Sequence, residues 1–80
     1  MEQTKKKVDL GQINSVKEFT QAMLNCPVSA DVVSGRHIVD AKSIMGLFSL
    51  DLSQPVEVIF DADESDIAET LAAIDKFIVK

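Results

Sequence analysis

Residues 40–50, Asp40-Ala41-Lys42-Ser43-Ile44-Met45-Gly46-Leu47-Phe48-Ser49-Leu50, decide how the rest of the chain is read. Ser43 stands at the mouth of a short amphipathic helix over about 43–50. Ile44, Met45 and Phe48 fall on one side of it, and Leu47 and Leu50 turn inward toward a sheet. A serine directly before a helix is a favoured N-cap, contributing ~1 kcal/mol.

Working outward, residues 28–33 read as a strand with Val28, Ala30 and Val32 on one face. Ser34-Gly35 is a tight turn into a second strand over 36–41, so the pair forms a hairpin. Beyond the helix, Ser53-Gln54-Pro55 is a turn, and Pro55 can open a strand without spoiling it. Val56, Val58 and Phe60 supply the core face of that strand. Acidic groups at 63–66 start the last helix, where the dipole favours them, and Ile67, Leu71, Ile74 and Ile78 form its buried stripe. Toward the N-terminus, Val8 and Leu10 alternate with Lys7 and Asp9 in a strand near 5–10, followed by a polar connection over 11–14. Ser15 and Glu18 have capping-box spacing, and Val16, Phe19 and Met23 recur at helical intervals. That helix stops near Asn25 or Cys26, because Pro27 pushes the preceding residue out of the α region. The order β-α-β-β-α-β-α has too few helices to carry one crossover per strand. It implies an α+β fold, a four-stranded antiparallel sheet covered on one face by three helices.

Eighty residues make one domain, 1–80, with 46 % apolar and 26 % charged side chains. That is the balance of a compact chain rather than a disordered one. A core this small gives modest stability unless self-association adds buried area, so a homodimer stays open. It also leaves little room for a deep pocket and favours a protein-binding surface. The net charge of −5 repels phosphate backbones and anionic lipid, which argues against nucleic acid and membrane partners. The run Lys5-Lys6-Lys7 reads as a solubilising edge. Cys26 is the sole cysteine, so there is no intrachain disulfide and no usual zinc ligand set, and beside Pro27 it reads as a small buried residue. No apolar run approaches the ~20 residues of a membrane span, and no signal-peptide core is present, so the cytoplasm is the expected compartment.

The segment Ala41-Lys42-Ser43-Ile44-Met45-Gly46 closely resembles the regulatory-serine segment of the HPr family, the phosphocarriers of the bacterial sugar phosphotransferase system. The resemblance runs without gaps over nearly the whole chain and implies the HPr-like open-faced β-sandwich. Family members carry a histidine in a Gly-x-His-x-Arg-Pro loop just before the first helix. There an imidazole takes the phosphoryl group while the helix N-terminus and arginine stabilise its charge. Here that segment is Leu10-Gly11-Gln12-Ile13-Asn14-Ser15-Val16. An ungapped register puts Gln12 at the histidine position, Asn14 at the arginine and Ser15 at the proline; matching Gly11 puts Ile13 at the histidine instead. Neither a carboxamide nor an alkyl chain is a comparable nucleophile. The chain is in this respect similar to the catabolite-repression HPr homologue.

The sole histidine, His37, falls in the hairpin, with no partner for a triad or a metal site. Asp61, Asp63, Glu64 and Asp66 lack the central glycine and loop length of an EF-hand. We therefore expect no catalytic residue, metal or cofactor. The resemblance makes Ser43 the phosphorylation site for an HPr kinase/phosphorylase, with Lys42, Ile44, Met45 and Phe48 as the partner-binding patch. A LacI-type catabolite repressor is the implied reader. Asn14 cannot hold a phosphate as the family's arginine does, and Lys17 or Lys42 offers only a point charge. Two other readings stay open: a phosphocarrier with a non-standard acceptor, His37, and an HPr-fold scaffold with neither phosphorylation.

Overall fold

A computed structural model of the protein describes residues 2–79. Its elements are β1 (Thr4–Val8), α1 (Ile13–Leu24), β2 (Ala30–Ser34), β3 (His37–Asp40), α2 (Ile44–Phe48), β4 (Val56–Phe60) and α3 (Ala68–Ile74). Short 3-10 turns, Glu64–Ile67 and Asp75–Phe77, flank α3. The four strands form one sheet in the order β1-β4-β2-β3, every neighbouring pair antiparallel. Period-two alternation divides the sheet. Val8, Ala30, Val32, Val56, Val58 and Phe60 are buried beneath the helices, whereas Lys5, Lys7, Asp31 and Ile38 face outward on the uncovered side. This is the one-sided α+β sheet the element order implies, and the open-faced sandwich the family resemblance implies.

The core joins those strand residues to Val16, Phe19 and Met23 of α1, Leu47 of α2, and Ile67, Ile74 and Phe77 around α3. Phe19 and Phe77 meet edge to face, centroids 6.5 Å apart and planes at 74°. Polar groups drawn inside are satisfied. The Thr20 hydroxyl donates to the Val16 carbonyl at 2.8 Å, and the Thr4 hydroxyl to the Ala62 carbonyl at 2.8 Å.

Several boundaries differ from the sequence reading, for physical reasons. Ser15 and Glu18 do not cap α1. Asp9 accepts the Gly11 N–H at 3.0 Å and turns the chain early, so the helix starts at Ile13 with Gln12 as its extended N-cap residue. That turn also ends β1 at Val8, short of the strand expected to reach residue 10. The hairpin turn is Gly35-Arg36, because Ser34 already pairs with His37. Gly35 takes φ 59°, a left-handed conformation that favours glycine at the first turn position. The last helix tightens at both ends. Its buried residues are Ile67, Thr70, Ile74 and Phe77, and the three-residue steps at each end suit 3-10 geometry. Phe77 takes the core place expected for Ile78, which is freed to bridge Val8.

The turn before β4 is held by Asp51, whose carboxylate accepts the Ser53 hydroxyl at 2.6 Å and the Ser53 N–H at 3.1 Å. The hydroxyl first, and then the N–H, hold the Asp51 carboxyl below its ordinary value. A depressed carboxyl contributes stability above its unfolded pKa and loses it as pH falls through the folded one. Carboxyl-carbon NMR should therefore place the Asp51 midpoint below the ordinary aspartate range, and Ser53→Ala should bring it back up.

Candidate functional site

The loop from β3 into α2 is built by short-range hydrogen bonds. The Asp40 side chain accepts the Lys42 N–H at 2.8 Å, and the Asp40 carbonyl accepts the Ser43 N–H at 3.0 Å. Ser43 is the N-cap in extended conformation; its Oγ accepts the Gly46 N–H at 3.1 Å and its carbonyl the Leu47 N–H at 3.0 Å. Ser43 as a residue is half-buried. Ala41, Leu47 and Leu50 are buried beneath it, as the inward-facing leucines require.

Met45 is 79 % exposed and Phe48 44 %, both beside Ser43 on α2. Ile44 is half-buried and packs against the core, so the outward apolar pair is Met45 with Phe48. The Lys42 ammonium donates to the Cys26 carbonyl at 3.0 Å, tying the serine loop to the C-terminal end of α1. Cys26 itself is buried.

Gly46 is a close-approach position whose steric role the sequence did not reveal. A Cβ there would meet Ser43 Oγ and Val39 Cβ, both at 3.2 Å. Val39 Cβ is fixed to the β3 backbone and cannot swing aside. Overpacking costs about 1–3 kcal/mol, and the helix propensity of alanine returns at most ~1 kcal/mol. Gly46→Ala should therefore destabilise the protein by about 1 kcal/mol, read as a lower urea midpoint. An unchanged or higher midpoint contradicts this packing.

The loop before α1 carries different chemistry. Gln12 is exposed, with no side-chain hydrogen bond onto the helix start, and Ile13 is 65 % exposed in the first turn. Gln12 borders a shallow cleft of about 490 Å³ lined by Asp9, Gly11, Gln12, Ser15, Lys76 and Phe77. Lys76 is paired with Glu18 and lies 5.3 Å from the centre of the Phe77 ring. Only the fold brings this lysine, from the far end of the sequence, to the start of α1. Asn14 and Lys17 are exposed on α1. His37 is exposed at the hairpin end of β3, outside this loop.

The acidic cluster serves local structure. Asp63 accepts the Glu64 N–H and the Ser65 hydroxyl, each at 3.0 Å, and Glu64 pairs with Lys6 at 2.8 Å on the surface. No group of acidic, histidine or cysteine side chains among the described residues is arranged to hold a metal ion. No helix among them is long and apolar enough to cross a membrane.

The chain belongs to the HPr family: the family model described as "PTS HPr component phosphorylation site" matches residues 11–80. Proteins of this family are phosphocarriers rather than enzymes. Solved HPr structures share the fold, among them the following two. HPr-C-His from Thermoanaerobacter tengcongensis superposes with a TM-score of 0.71 at 23 % identity, over 95 % of this chain and 93 % of that one. The phosphocarrier protein HPr from Bacillus anthracis str. Ames gives 0.68 at 20 % identity, over 91 % and 95 %. No curated protein matches the chain by sequence.

Proposed function

We propose that this protein is a regulatory HPr-family module that does not carry phosphate on histidine. Ser43 is the acceptor for an HPr kinase/phosphorylase, and the surface beside it is read by a partner protein in carbon catabolite regulation in the cytoplasm. The observation that carries this reading is the grouping at α2: a half-buried N-cap serine with Met45 and Phe48 exposed on the helix it starts. A phosphate on Ser43 adds ~−1.5 to −2 charge at that edge without touching the core. A partner with a basic group beside an apolar socket would distinguish the two forms, and methionine adapts to more than one socket.

The loop before α1 supports the same reading. Gln12, at the family's histidine position in the ungapped register, stands at the N-cap of α1 without a side-chain cap bond, and Ile13, at that position if Gly11 is matched, is in the first helical turn. A carboxamide there cannot take a phosphoryl group. A LacI-type repressor fits the reader's role, with Lys42, Ile44, Met45 and Phe48 as its contact set. Incubation with an HPr kinase/phosphorylase and ATP, followed by intact mass, tests the proposal.

A further inference from the structure

We infer that the free edge of β3 pairs with the same edge of a second copy of this chain, about a two-fold axis through Ile38. The sheet has two edges, and they are treated differently. At β1, the Asp9 N–H donates to the Phe77 carbonyl and the Val79 N–H to the Lys7 carbonyl, each at 2.8 Å, while Lys5 and Lys7 guard the outward face. At β3, no strand of the described residues lies beyond, and no lysine stands on it.

The ladder fixes which groups are free. Ser34 pairs with His37 across the two-residue turn and Val32 with Val39, and the Ala41 N–H reaches the Ala30 carbonyl at 3.0 Å. Alternation then turns the N–H and C=O of Ile38, and the N–H of Asp40, away from the sheet. The Asp40 carbonyl is occupied by the Ser43 N–H. At the centre of this edge Ile38 is 67 % exposed, an apolar side chain on an unguarded strand.

Antiparallel pairing with a second copy has one favourable register. Centred on Ile38, it lets the two isoleucines exchange both backbone hydrogen bonds and lie side by side. It sets Arg36 of each copy opposite Asp40 of the other, so opposite charges meet twice. A centre on Asp40 would face aspartate with aspartate, a centre on Val39 would pair Ile38 with Asp40 and call on the Asp40 carbonyl that the Ser43 N–H already occupies, and a centre on His37 would pair Ile38 with Arg36 of the turn with no opposite charges facing. The paired sheet has eight strands, with both helical layers on the same side. A contact this narrow is transient, and the net charge of −5 on each copy works against it, placing association in the roughly 0.1–1 mM range.

Sedimentation and amide NMR of the full chain across that range test the inference. The expected result is a mass rising from 8.7 kDa toward twice that value, with concentration-dependent shifts confined to the 36–40 edge. Ile38→Pro removes an outward N–H while leaving the bonds to β2 intact, and should weaken association about tenfold or more. Arg36→Glu, in an exposed turn, should do the same by setting like charges opposite Asp40, and it decides the matter if the proline variant fails to fold. A wild type that stays monomeric throughout overturns the inference. So does a dimer that withstands Arg36→Glu, or one whose shifts centre on Met45 and Phe48.

Discussion

Wild-type protein given an HPr kinase/phosphorylase and ATP takes up one acid-stable phosphoryl group, Ser43→Ala takes up none, and enzyme I charges neither. The loss is complete because a single oxygen supplies the nucleophile. The variant must be shown to fold, since Ser43 also caps α2 through the Gly46 N–H. Losing that cap costs ~1 kcal/mol, against a total of about 4–12 kcal/mol for a chain of this length. Ser43→Asn separates the two roles. Asparagine caps as well as serine and has no hydroxyl, so it should restore the urea midpoint and still accept no phosphate. Phosphate on Ser43→Ala would move the acceptor elsewhere. Uncharged wild type would leave an HPr-fold binding module without this mark. Acid-labile phosphate passed from enzyme I and lost in His37→Ala would restore the phosphocarrier reading.

The element order and the inward faces were legible because they rest on local signals. Alternation marked Val56, Val58 and Phe60, and helical spacing marked Val16, Phe19 and Met23, all of which are buried. Leu47 was separable from Met45 and Phe48 by position on α2, whereas Ile44, expected on the outward side, packs against the core. What escaped the sequence depends on contacts between distant segments. The capping-box spacing of Ser15 and Glu18 is real as a pattern, but the Asp9–Gly11 turn begins the helix before it can be used. Phe77 displaces Ile78 from the core because the edge-to-face contact with Phe19 and the bridge from Ile78 to Val8 are made together. Within the serine loop, Lys42 could be placed beside Ser43 by sequence. Its commitment to the Cys26 carbonyl required the packing of α2 against α1.

The packing of α1 against the C-terminal turn predicts the largest loss of stability. Phe19 lies at the middle of α1 with no exposed surface and its ring against Phe77. Phe19→Ala removes a full aromatic side chain from an interior with few ways to collapse, at a cost of about 3–5 kcal/mol. For a domain this small the melting temperature should fall by on the order of 20 °C. A drop of only a few degrees would mean that α1 is not anchored through this ring. Phe77→Ala should also destabilise, and the double variant should lose less than the sum, with a coupling of about 0.5–1.5 kcal/mol for the ring pair. Met45→Ala is the counterpart on the opposite kind of position. With 79 % of its surface in water, it should move stability by no more than about 0.5 kcal/mol. The contrast separates the two apolar groups of this chain: one ring holds α1 to the body of the protein, and the Met45 side chain is free to meet a partner.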